Sequence, residues 1–183
     1  MTCIVGIVEK DKVYIGGDSA GVSNLDITVR KDSKVFTVGD FLIGTAGSYR
    51  VMQVMRFSFK PPKLKRGQDI YEFMCTSFVD SMRTCFKNSG ILHVKDELHE
   101  HDGVLLVGFK GRLFVIYEDF QVGEHIEPWN SIGCGFPYAL GALRAMSHTN
   151  SNIKSAEEKL KVALSAAAHY SGGVCPPFNI QKI

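Results

Sequence analysis

Thr2, Asp18 and Lys34 are the residues whose types and spacing could do chemistry. Removal of Met1 would leave Thr2 with a hydroxyl and a free α-amine on one residue, a nucleophile carrying its own general base. A hydroxyl is a poor nucleophile near neutral pH. An α-amine, with an intrinsic pKa of roughly 7.7–8, suits the task of accepting its proton. A lysine cation beside them would lower the proton affinity of both groups, and an aspartate would hold that lysine in place. Asp18 closes the alternating run Val13-Tyr14-Ile15-Gly16-Gly17-Asp18, and Lys34 follows in Asp32-Ser33-Lys34-Val35. Each residue alone has a plain role: Asp18 can end a strand and Lys34 can be a surface charge. Folding of these runs as hairpins would bring both back beside Thr2.

The elements that must position them begin with five strand-like runs, Thr2 to Val8, Lys12 to Asp18, Ile27 to Arg30, Lys34 to Val38 and Phe41 to Thr45. Glu9-Lys10-Asp11 separates the first two, and Gly39-Asp40 reads as a hairpin between the last two. A helix starting near Gly47 or Ser48 runs to about Phe57, where Pro61-Pro62 enforces a break. From Gln68 to Lys87, Ile70, Phe73, Met74, Phe78, Val79, Met82 and Phe86 recur at three- and four-residue spacing, the stripe of a helix packed on a core. Gly103 to Phe109 and Arg112 to Tyr117 form a hairpin around Lys110-Gly111, and a strand over Trp129 to Gly133 leads into a helix from Pro137 to His148. Ser155-Ala156-Glu157-Glu158 is a capping-box pattern opening a last helix that continues to Tyr170. Pro176-Pro177 cannot donate to a ladder, so the final strand lies at an edge or is interrupted. This order of strands, two helices, strands, two helices makes the chain α+β.

Thr2-Cys3-Ile4-Val5-Gly6-Ile7, Ile15-Gly16-Gly17-Asp18, Ser33-Lys34-Val35 and Leu42-Ile43-Gly44-Thr45-Ala46-Gly47 together resemble the proteasome β-type subunits, with the bacterial HslV peptidase branch the closer relatives. The sixteen-residue steps from Thr2 to Asp18 and from Asp18 to Lys34 match that pattern without a gap. Asn130-Ser131-Ile132-Gly133-Cys134-Gly135-Phe136-Pro137-Tyr138-Ala139 is similar to the family's I-G-S-G-x-P-Y-A stretch. The likeness covers the first fifty residues well and the last fifty loosely.

The resemblance implies the four-layer αββα sandwich of the N-terminal nucleophile (Ntn) hydrolases, two antiparallel sheets between helical layers, as one domain over residues 1–183. It implies a threonine peptidase: Thr2 as nucleophile, Lys34 stabilising the deprotonated forms, Asp18 orienting Lys34, and the Gly44 amide as oxyanion donor. Gly21, Asp32 and Ala46 fall at pocket positions. Cys134 stands where the family usually has a serine near the nucleophile's amine, and a thiol is a weaker hydrogen-bond partner. Ser171-Gly172-Gly173 resembles the Asp-x-x-Ser-Gly-Gly element of active β subunits, with Ala168 at the aspartate position and His169 beside it. The implied substrate is a peptide or unfolded protein. The implied assembly is a ring of identical subunits around a closed chamber, fed by a separate ATP-dependent unfoldase.

Two other readings keep the fold but change the function: a catalytically inactive ring subunit, and an Ntn amidase acting on a small molecule. Cys3 as the nucleophile would require loss of two residues and a shift of one in the spacing to Asp18 and Lys34.

Bulk properties narrow the field. The chain of 183 residues can bury roughly 70% of its unfolded surface. Its hydrophobic share of 45% and net charge of +2 suit a globular protein and argue against nucleic acid. The Lys60 to Arg66 cluster, broken by two prolines, reads as a solvated linker. Five scattered cysteines without a CxxC pair suit a reducing, cytoplasmic setting, and no run is long and apolar enough for a membrane span. His93, His99 and His101 lie among Asp96, Glu97, Glu100 and Asp102, which reads as a solvated acidic loop rather than a metal site. Gly16-Gly17 is followed by the anionic Asp18, so no phosphate loop and no ATP site is expected, and no cofactor.

Overall fold

The computed structural model describes residues 1–95, 97–149, 152–153 and 155–183. Two antiparallel sheets stack face to face and helices cover both outer faces. The first sheet has the order β12-β1-β2-β13 (Trp129–Ile132, Ile4–Glu9, Lys12–Gly17, Asn179–Lys182). The second runs β11-β10-β9-β6-β5 (Val122–Glu124, Arg112–Ile116, Gly103–Phe109, Phe41–Gly47, Val35–Val38). Two ribbons stand apart from the stack, β3-β4 (Ala20–Ser23 with Asp26–Val29) and β7-β8 (His93–Lys95 with Leu98–Glu100).

Three apolar layers hold this stack together. Ile4, Ile15, Val35, Leu42 and Leu106 fill the space between the sheets. Cys3, Val5, Leu160, Ala163 and Ala167 join the first sheet to α4 (Phe136–His148) and α5 (Ala156–Tyr170). The second sheet is covered by α1 (Tyr49–Phe57) and a continuous helical stretch, α2 (Ile70–Phe73), a π-helical turn over Met74–Phe78, and α3 (Val79–Asn88). Phe73, Met74, Phe78, Val79, Met82 and Phe86 are all buried there, so the aromatic stripe is core, with Phe41 stacked on Phe109 at 4.2 Å. The result is the αββα sandwich, an α+β fold.

Local chemistry sets the helix starts. Ser48 accepts from the Arg50 amide, Asp69 accepts from the Glu72 amide, and Ser155 and Glu158 close a reciprocal capping box. The final strand pairs with β2 alone and sits at the sheet edge, where the prolines before it withhold no ladder bond. β3, β7, β8 and β11 go beyond the sequence expectation. All are three or four residues long, too short for alternation to mark them.

Candidate active site

Each sheet delivers one end of the site. Thr2 precedes β1, and Asp18 follows β2; the pairing of Ile4 with Gly17 places the two side by side. The Asp18 amide donates to the Cys3 carbonyl at 3.2 Å, and the Cys3 amide donates back to Asp18 Oδ1 at 2.9 Å. The Ala20 amide donates to Oδ2 at 2.8 Å and the Cys175 amide at 3.4 Å. Lys34 comes from the other sheet, just ahead of β5, with its carbonyl accepting from Thr45 at 3.0 Å. Its ammonium donates to Asp18 Oδ1 and to Thr2 Oγ1, both at 2.9 Å. The Lys34 and Asp18 side chains are 2% and 0% exposed, so this chain of contacts lies almost out of water. An ion pair so enclosed fixes geometry more than it stabilises, because desolvation offsets most of the Coulombic gain.

The turn after β12 fastens Thr2 from the opposite side. The Gly135 amide donates to the Thr2 carbonyl at 3.2 Å, and the Cys134 thiol donates to the same oxygen at 3.4 Å. The Thr2 amide in turn donates to Cys134 Sγ at 3.3 Å, and Ser171 Oγ lies 3.4 Å from that sulfur. Gly133 takes φ +87°, and a Cβ there would stand 2.3 Å from the Thr2 carbonyl oxygen. Only glycine satisfies both the dihedral and the close approach.

With Met1 attached, the Thr2 nitrogen is an amide and holds no basic lone pair. The Thr2 hydroxyl donates to the Met1 carbonyl, and Lys34 Nζ lies 3.5 Å from that oxygen. The Met1 side chain rests against Gly173, whose missing Cβ makes the room. A groove of about 480 Å³ opens over Thr2, lined by Ala46, Gly47, Ser48, Asp102, Gly133 and Cys134 among others.

Gly44 is not at this groove. It sits mid-strand in β6, opposite both Val35 and Leu106, and a Cβ there would meet Ile4 Cγ2 at 2.4 Å. Its glycine is needed to let the two sheets close. Of the two β6 glycines, the one that lines the groove with Thr2 is Gly47, three residues on, with φ +111°. The Thr45 amide points toward β5, to the Lys34 carbonyl. By the alternation of a strand, the Gly47 amide lies on the same side of β6, past the end of β5.

Other sequence candidates resolve differently. Cys3 is wholly buried, and burial pushes its thiol up to about 12, so it faces the core rather than the groove. Asp32 is held by Arg30 at 2.8 and 2.7 Å, and that guanidinium stacks 3.9 Å above the Tyr49 ring; Gly21 packs under Arg30. Ala168 packs among the apolar residues of the α4–α5 layer, and His169 packs on Tyr170. In the acidic segment, His93 pairs with Asp102 at 3.0 Å, whereas His101 is buried between the Phe86 and Phe120 rings. His101 is therefore a core residue and not part of a solvated loop; Asp96 lies outside the described residues. Among the described residues no group of three His, Cys, Asp or Glu side chains is placed to hold a metal, and no helix is long and apolar enough to cross a membrane.

The same architecture occurs in solved structures. Thiobacillus denitrificans BPH in complex with epoxomicin matches with a TM-score of 0.82 and 19% identity, covering 100% of this chain and 98% of that one. The HslV of Trypanosoma brucei matches at 0.68 and 18%, covering 99% and 98%. Anbu (ancestral beta-subunit) from Yersinia bercovieri matches at 0.66 and 15%, covering 100% and 82%. These neighbours carry the proteasome-type Ntn hydrolase fold, and this chain has it too. No protein-family model matches the sequence, and neither does any curated protein.

Proposed function

We propose that the chain is a threonine peptidase that becomes competent when Met1 is removed. The observation that carries this reading is the buried relay from Asp18 through Lys34 to the Thr2 hydroxyl, 2.9 Å at each step, at the floor of an open groove. Freed of Met1, the Thr2 amine takes the proton of its own hydroxyl as the oxygen attacks a peptide carbonyl. Lys34 stabilises the deprotonated forms and Asp18 aims Lys34. The Gly47 amide, rather than that of Gly44, receives the developing oxyanion. The amine then protonates the leaving nitrogen, and water hydrolyses the ester left on Thr2. Cys134 stands at the Thr2 nitrogen, where it orients the freed amine through a hydrogen bond, and Ser171 backs the Cys134 sulfur.

The ring of identical subunits belongs to this proposal, as do a cytoplasmic setting, peptide or unfolded-protein substrates and a separate ATP-dependent unfoldase. The β3-β4 ribbon supports assembly: Leu25 is 98% exposed and Val29 62%, apolar surface that a neighbouring copy would cover.

The test is peptide turnover by protein that starts at Thr2. Thr2→Ser should keep measurable hydrolysis, while Thr2→Ala and the Met1-bearing protein should show none. Equal turnover by Thr2→Ala would rule the assignment out. A stable, closed ring without turnover of any peptide would favour the inactive subunit.

A further inference from the structure

The sulfur beside the nucleophile has its own chemistry. Cys134 is an exposed thiol on the wall of the groove, 3.3 Å from the Thr2 nitrogen and 3.4 Å from Ser171 Oγ. The contact is set by the backbone: Gly133 turns at φ +87°, and the Gly135 amide clamps the Thr2 carbonyl at 3.2 Å. The other cysteines are placed otherwise. Cys3 is buried, Cys85 and Cys175 are half-buried, and Cys75, exposed like Cys134, lies on the outer helical layer rather than at the groove. Burial raises the thiols of Cys3, Cys85 and Cys175, which suppresses the thiolate that peroxides oxidise.

We propose that Cys134 and the Thr2 amine form a reversible sulfur–nitrogen bond under hydroperoxide, which switches the nucleophile off. The inference rests on Met1 being removed, since a backbone amide is a poor nucleophile and a primary amine is a good one. In the first step the Cys134 sulfur attacks a peroxide oxygen. One oxygen goes to sulfur as the sulfenic acid, the O–O bond breaks, and the other oxygen leaves as water from hydrogen peroxide or as the alcohol from an alkyl hydroperoxide. In the second step the Thr2 nitrogen attacks that sulfur. An S–N bond forms, the S–O bond breaks, and the departing hydroxide leaves as water with a proton from the amine. Ser171 Oγ, already beside the sulfur, hydrogen-bonds the leaving oxygen. A free thiol reverses the lock by attacking sulfur, releasing the amine and giving a mixed disulfide that a second thiol reduces.

The consequence follows from the geometry of the site. An amine tied to sulfur no longer accepts the hydroxyl proton, so Thr2 is silenced. The capture also stops Cys134 from passing on to the sulfinic acid, which does not return under thiols. A serine at this position could not be oxidised in this way, so the cysteine gives the site a sensitivity that a hydroxyl lacks.

The experiment uses full-length chain beginning at Thr2, released from a cleavable N-terminal fusion and checked by intact mass. After hydrogen peroxide, a non-reducing tryptic digest should contain a product lighter by two hydrogens that joins the N-terminal peptide to the Cys134 peptide. Fragmentation should place the link on the Thr2 nitrogen, and dithiothreitol should remove it. The link should persist in Cys3→Ala, which excludes a Cys3–Cys134 disulfide, and vanish in Cys134→Ser and in Met1-bearing protein. Oxygen adducts on Cys134 without a link, or a link lost in Cys3→Ala, would overturn the proposal. Because the readout is mass, it is separate from turnover. A cross-link in a chain that cleaves no peptide would sink the peptidase reading and leave the sulfur–nitrogen bond standing.

Discussion

Lys34 Nζ stands 2.9 Å from Thr2 Oγ1, reaching it from the opposite sheet. The two residues are 32 apart in sequence and meet only because the sheets close face to face. Asp18 holds the same nitrogen from the first sheet at 2.9 Å, so the Thr2 hydroxyl is tied to the way the sandwich is stacked.

That tie gives the lysine a structural role besides its proposed chemical one. Lys34→Met should cost about 3–5 kcal/mol in urea unfolding, because Asp18 would remain buried without its counter-charge. Peptide turnover should fall by about 10²-fold or more. The double variant Lys34→Met with Asp18→Asn should recover much of the stability and none of the turnover. Recovery of turnover would show that the relay is dispensable.

The two glycines of β6 should separate cleanly. Gly44→Ala pushes a methyl into Ile4 and should destabilise the chain by about 1–3 kcal/mol while leaving turnover per folded molecule unchanged. Gly47→Ala, at φ +111° beside Thr2, should reduce turnover as well. Rate constants normalised to folded fraction, taken from chemical denaturation, decide between the two glycines.

His101 gives the chain an acid-sensitive core. Burial holds its pKa down to about 4, against about 6.5 in the unfolded chain. The unfolded state therefore takes up the proton first as pH falls. The stability this neutral ring supports is intact above pH ~6.5 and is lost progressively toward pH ~4. The urea midpoint should report a loss of about 2 kcal/mol between pH 7 and pH 5. His101→Phe should abolish that part of the slope; an unchanged slope would place the titrating group elsewhere.

How much of this was legible in the sequence differs from residue to residue. That Thr2, Asp18 and Lys34 come together was legible because each sits at the end of a strand run, and the structure places all three in contact, with Cys134 at the Thr2 nitrogen. Gly44 and Gly47 could not be told apart, since both lie in one seven-residue strand. What separates them is the pairing with β5 and β9, which is long-range information. His101 reads as part of a solvated loop because its neighbours, Glu100 and Asp102, are acidic; the Phe86 and Phe120 rings that enclose it come from distant segments. The core helix from Ile70 onward was plain from its period, although the π turn over Met74–Phe78 left no mark in that pattern.

The assembly has its own signature to test. Leu25→Lys with Ile27→Lys, on the exposed ribbon, should break a ring into smaller species in native mass spectrometry. Protomer stability should change by no more than about 0.5 kcal/mol, as for other surface changes. An intact ring in that variant would place the subunit contacts on another face.

The most direct measurement of the central claim is the intact mass of the purified protein before and after a peptide epoxyketone such as epoxomicin. That warhead closes a ring with both the hydroxyl and the free amine of an N-terminal threonine. The expected result is loss of Met1 and one stoichiometric adduct, absent in Thr2→Ala. A chain that keeps Met1, or that starts at Thr2 and stays unmodified, would contradict it.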